Sequence, residues 1–126
     1  AKTGAFRIFP TEAIAVDVSF ADQPGVAAYK CGTLGAGPMI GVSPTLDREM
    51  KDKLVHIAKD EEIPYQMEVM GGSTGTNADA IGTTQSGVRT ALISIPLRYM
   101  HTPVEVVDLE DIERVAKLMA SYIHHR

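Results

Sequence analysis

The order of apolar and polar positions along the chain predicts strands alternating with helices. Ala13-Ile-Ala-Val-Asp-Val-Ser19 is apolar on both parities apart from Asp17, which predicts a central strand of a parallel sheet, buried on both faces. Pro38-Met-Ile-Gly-Val42 is a second, shorter strand-like piece in a region punctuated by Gly32, Gly35, Gly37 and Gly41. Ser43-Pro44 then predicts a helix cap followed by proline in the first turn. Leu46, Met50, Leu54, Ile57 and Ala58 carry that helix to about Glu62, with Pro64 beyond its end. Tyr65-Gln-Met-Glu-Val-Met70 alternates as a half-buried strand, and residues 78–86 predict a short helix closed by Gly87. Arg89-Thr-Ala-Leu-Ile-Ser-Ile95 is a further strand, with a break expected at Pro96. The last helix starts at an Asp108 cap with an acidic residue at Asp111, and Leu109, Ile112, Val115, Ala116, Met119 and Ile123 form its predicted apolar stripe.

This alternation predicts an α/β fold, a three-layer α/β/α sandwich with a partly parallel central sheet, and residues 1–126 read as one domain. In such folds ligands gather at the carboxyl ends of the strands.

Composition narrows the partners. A chain of 126 residues, 44% hydrophobic, suits a single aliphatic core. Its net charge of -4 and lack of a basic run argue against nucleic acid and anionic membranes as partners. No apolar stretch is long enough for a bilayer and no signal-like start is present, so a cytoplasmic protein is expected. The single cysteine, Cys31, fits a reducing compartment.

Two residues stand out chemically. Asp17 is a carboxylate in an apolar strand, which calls for a hydrogen-bonding partner, a cation or a metal. His101 lies on a strand-to-helix connection, behind Arg98 and Tyr99, between Pro96 and Pro103. It admits two readings, a histidine bonded to backbone in a stiff loop or a presented ligand. The two could meet at the carboxyl edge and bind Zn²⁺ or a similar ion. The Gly71–Ala80 loop also admits two readings, an anion-holding helix start or a helix simply capped by Thr76 or Asn77. The terminal His124-His-Arg126 reads as a frayed helix end, and His56 as a solvated residue on its helix.

Three stretches together resemble a known family. Ala13-Ile-Ala-Val-Asp17-Val with Pro24-Gly25, Gly75-Thr-Asn-Ala-Asp-Ala-Ile81, and Ile93-Ser-Ile-Pro-Leu-Arg-Tyr-Met-His101-Thr-Pro-Val-Glu-Val-Val-Asp108 are similar to the dinuclear metallo-aminopeptidases. These are the glutamyl aminopeptidases and the tetrahedral, or TET, aminopeptidases, some of whose members carry an endoglucanase label. The resemblance implies hydrolysis of peptides from the N-terminus by two Zn²⁺ or Co²⁺ ions, which share a bridging Asp and a bridging water, with a Glu as general base. It also implies assembly as homo-oligomers from dimer to dodecamer. Asp17 matches a carboxylate ligand of one ion and His101 an imidazole ligand of the other. Gly75, Thr76, Asn77, Asp79 and Arg98 match the loop and turn beside the site, with Asn77 standing where many relatives have Asp. The other ligands and the general base belong to family sequence preceding the position of Ala1. The chain therefore resembles the C-terminal part of the catalytic domain and is expected to be inactive alone. A non-catalytic fragment or assembly module is the alternative. A glycosidase is the weaker one, since it would need an acid pair across a cleft and aromatic platforms, and the chain has 6% aromatic residues and no Trp.

Overall fold

The computed structural model describes residues 1–125. In chain order the elements are α1 (Lys2–Ile8), β1 (Glu12–Phe20), a 3-10 turn at Ala28–Lys30, β2 (Met39–Val42), α2 (Arg48–Asp60), β3 (Gln66–Val69), α3 (Asn77–Gly82), β4 (Arg89–Arg98), β5 (Val106–Val107) and α4 (Leu109–His124). The sheet runs β1-β4-β2-β3, with the short β5 also on β4. β1 is parallel to β4 and β2 is parallel to β3, while β2 and β5 meet β4 antiparallel. The partly parallel sheet expected from the strand and helix alternation is the one observed.

Strand parity separates the two faces. Ile14, Ile40, Ala91, Ile93 and Ile95 point to α2 and α4, where they pack on Met50, Leu54, Ile57, Val115, Leu118 and Tyr122. Ala15 and Leu92 point the other way and pack on Ala78 of α3, with Leu46 and Met70 beside them. Helices therefore cover both faces, which completes the α/β/α layering. The main core lies under α2 and α4, because these two long amphipathic helices supply most of its aliphatic volume.

Five local expectations change. β1 lies at an end of the strand order, and β4 takes the central place. Val16 is accordingly 43% exposed, whereas Leu92 and Ile93 of β4 are buried. Pro96 does not end β4 but pairs with Ser19 inside it. The Leu97 carbonyl accepts from Ala21 N–H of the segment after β1, so alternation turns the Pro96 nitrogen to the opposite edge. There the β2 pairing stops at Ser94 and the β5 pairing starts at Leu97, so no ladder bond is lost.

Helix α2 begins at Arg48 rather than beside Pro44. Ser43 to Leu46 forms a turn closed by Leu46 N–H on the Ser43 carbonyl (3.1 Å). Asp47 then caps the helix, accepting from Met50 N–H at 2.8 Å. Its own N–H donates to the Thr90 carbonyl and its carboxylate pairs with Arg89, so the helix start is fixed by β4. Helix α3 stops at Gly82, short of Gly87, where turns closed by Thr84 N–H on the Ile81 carbonyl (3.2 Å) and Gly87 N–H on the Thr84 carbonyl (2.8 Å) replace it.

The inward face of α4 is Asp111, Val115, Leu118 and Tyr122, while Leu109, Ile112 and Ile123 of the expected stripe are exposed. Asp111 turns the helix. Its fully buried carboxylate accepts from Gly35 N–H (2.8 Å) and Gly37 N–H (2.9 Å). Arg114 reaches the Gly35 carbonyl at 2.7 Å. Gly37 itself has φ +98, and a Cβ there would lie 2.0 Å from the Pro64 carbonyl oxygen, so only glycine fits this approach to the β3 lead-in.

Candidate functional site

Asp17 and His101 lie toward the same end of two neighbouring parallel strands. Asp17 pairs with Ser94 three positions before the last register pair, Phe20 with Leu97, and His101 follows that pair in the turn leaving β4. Asp17 shares the α3 face of the sheet with Ala15 and is half-buried. One carboxylate oxygen accepts from Val18 N–H at 2.7 Å. Among the described residues no cation or side-chain donor engages the carboxylate.

The turn after β4 is built from left-handed residues that are not glycine. Tyr99 has φ 59 and His101 φ 62. Such residues are uncommon and persist only where neighbours hold them. Tyr99 N–H donates to Gln23 Oε1 at 2.7 Å, and His101 N–H donates to Glu105 Oε1 at 2.7 Å. Thr102 Oγ1 donates to the Tyr99 carbonyl at 2.6 Å. Arg98 stacks on the Tyr99 ring, 4.9 Å from its centroid, and donates through Nη2 to the Tyr99 hydroxyl at 3.1 Å. The His101 residue is exposed, and among the described residues its ring nitrogens have no hydrogen-bond partner. An imidazole nitrogen and a carboxylate oxygen are thus both free of protein partners at one edge of the sheet, the donor chemistry a borderline cation such as Zn²⁺ accepts. Among the described residues no group of three His, Cys, Asp or Glu comes together.

The glycine-rich loop resolves in favour of capping. Thr76 accepts from Ala78 N–H at 3.2 Å and starts α3, with Asn77 exposed as its first residue. The anion that fills the loop is its own Asp79, which accepts from Thr74 N–H (2.9 Å), Thr74 Oγ1 (2.8 Å) and Gly75 N–H (2.8 Å). The bond from the Thr74 amide is the main reason the Asp79 carboxyl is held below the ordinary carboxylate range.

Three contributors were not singled out from the sequence. Glu68 of β3 accepts from Ser94 Oγ at 2.9 Å and from Ser19 Oγ, and so ties β3 to both parallel strands beside Asp17. Gln23 and Glu105 hold the two left-handed amides. A polar residue in a half-buried strand or loop gives no periodic signal, and the parity of Glu68 with Gln66 was its only trace. The remaining histidines lie elsewhere. His56 is exposed on α2, His124 ends α4, and His125 sits 3.3 Å from Glu61 Oε1, while Arg126 lies outside the described residues.

Comparison with known proteins gives the family and the fold. The chain is 39% identical to a lysyl aminopeptidase of Pyrococcus furiosus over 94% of its own length and 34% of that protein. An aminopeptidase structure from the archaeon Desulfurococcus kamchatkensis superposes with a TM-score of 0.90 at 40% identity, covering 99% of this chain and 37% of that one. A Pyrococcus horikoshii TET1 peptidase, described as assembling into a tetrahedron or a large octahedral shell, gives a TM-score of 0.70 at 30% identity over 94% of this chain and 34% of its own. The chain thus spans about a third of the length of these relatives. The model of the M42 glutamyl aminopeptidases matches residues 1–118, and the chain belongs to that family.

Proposed function

We propose that the chain is the C-terminal part of the catalytic domain of a metal-dependent aminopeptidase, with Asp17 and His101 as ligands of its two-ion centre. The observation that carries the reading is their position at the same carboxyl edge of the β1 and β4 pair, each with ligand atoms free of protein partners among the described residues. Identity of 39–40% with two aminopeptidases supports the reaction class. The ions, Zn²⁺ or Co²⁺, would supply Lewis acidity toward a peptide carbonyl and an acidified water at neutral pH.

The residues of this chain hold and orient these groups. Asp17 brings negative charge to the sheet edge, and β4 fixes its height through the Ser94 pairing. His101 presents its ring from a turn pinned at both amides, and Asp79 closes its own loop through Thr74 and Gly75. With no third ligand and no general base assigned among these residues, the 126-residue chain alone is expected to be inactive. Peptide substrates and assembly into homo-oligomers, from dimers to dodecamers, belong to the same proposal, as does a cytoplasmic location. Among the described residues no helix is long and apolar enough to cross a membrane.

Aminoacyl-p-nitroanilide hydrolysis tests the reading. The intact protein should hydrolyse these substrates in a chelator-sensitive way, and Asp17→Asn or His101→Ala should each lower kcat/KM by at least about a hundredfold. Full activity from the 126-residue chain alone, or wild-type rates in both variants, would refute it.

A further inference from the structure

We infer that Gln23 and Glu105 are positioning residues that lock the His101 turn and thereby set its imidazole for metal binding. The inference rests on the metal reading of His101 given above. Tyr99 and His101 are the left-handed residues of the turn, and both of their amides are held by side-chain oxygens at 2.7 Å. Neither amide is left to solvent or to an ordinary turn bond. A turn of this shape, built from residues with a Cβ, holds its course only while such partners are present.

The two holders act from different directions. Gln23 belongs to the loop that leaves β1, the strand of Asp17, and lies 76 residues from Tyr99 in the chain. Its bond therefore couples the loops that follow the two strands bearing the candidate ligands. Glu105 is local, four residues after His101, and closes the turn from beyond Pro103. Thr102 completes the frame by donating to the Tyr99 carbonyl and accepting from Val104 N–H at 3.3 Å. The imidazole takes no part in any of these bonds, so the backbone around it is fixed while the ring stays available.

Glu105 offers a clean distinction between holding and charge. Glu105→Gln keeps an oxygen that can accept from the His101 amide, whereas Glu105→Ala removes it. In the intact protein, Co²⁺ affinity by calorimetry and the visible spectrum of the bound ion would be measured for Glu105→Ala, Glu105→Gln, Gln23→Ala and His101→Ala. Glu105→Ala and Gln23→Ala should each weaken Co²⁺ binding by about tenfold or more and alter the spectrum, while Glu105→Gln stays within about threefold of wild type. His101 amide exchange in the metal-free protein should speed up in Glu105→Ala and remain slow in Glu105→Gln. Wild-type affinity and spectrum in both alanine variants would overturn the inference, as would a Glu105→Gln protein as weak as Glu105→Ala. His101→Ala with undiminished ion stoichiometry would defeat the metal reading itself, independently of the other variants. Should Glu105→Ala fail to fold, Gln23→Ala and Glu105→Gln decide the question.

Discussion

Asp47 caps α2 and also receives Arg89, whose guanidinium bonds both carboxylate oxygens at 3.0 and 3.3 Å. That contact is the main cause holding its carboxyl below the usual range. A depressed folded-state pKa adds stability above the unfolded-state value, and this is lost as pH falls through the folded value. Asp47→Asn keeps the cap and removes the charge, so it should cost up to about 1 kcal/mol near neutral pH. Urea denaturation across pH should show the gap to wild type closing below about pH 4, and a gap that persists in acid would contradict the assignment. Asp111 is the more severe case. Asp111→Ala leaves the Gly35 and Gly37 amides and the Arg114 cation without their buried acceptor, and should lower stability by about 3 kcal/mol or more.

At the scale of elements, what could be read from the chain depended on whether burial was apolar. The spacing of Met50, Leu54, Ile57 and Ala58 marked α2 correctly, because the residues facing the core are all hydrophobic. The α4 stripe departs from its apolar pattern because Asp111 faces inward, and a satisfied buried carboxylate looks like surface to a hydrophobic pattern. Denaturation distinguishes the two faces of α4. Leu118→Ala, absent from the expected stripe and fully buried, should cost about 2–5 kcal/mol. Ile123→Ala, inside that stripe but 57% exposed, should change stability by no more than about 0.5 kcal/mol. The reverse order would restore the original stripe. Pro96 reads as a strand end because sequence reveals the missing N–H but not which edge of the strand it faces.

For the molecule as a whole, the layered α/β/α architecture was legible, since strand and helix alternation dictates it. Asp17 and His101 were picked out by their oddity in context. The residues that hold His101 were not, because Gln23 and Tyr99 are linked by a bond that no periodicity records. The apolar character of β1, which suggested a central strand, instead sits at a sheet edge. Beside that edge Thr11, Ile14, Met119 and Ile123 help to line a groove of about 760 Å³. An open edge with exposed Val16 is a template for pairing, so the 126-residue chain in isolation should self-associate in size-exclusion chromatography with light scattering. Val16→Lys should shift it toward monomer, and a wild-type chain that stays monomeric at high concentration would contradict this.

The dinuclear reading is tested most directly by anomalous diffraction at the zinc edge from crystals of the intact protein grown with Zn²⁺. Two peaks are predicted, one within about 2.0–2.2 Å of an Asp17 carboxylate oxygen and the other at a similar distance from a His101 ring nitrogen. Zinc bound in the protein with neither residue in contact would contradict the assignment.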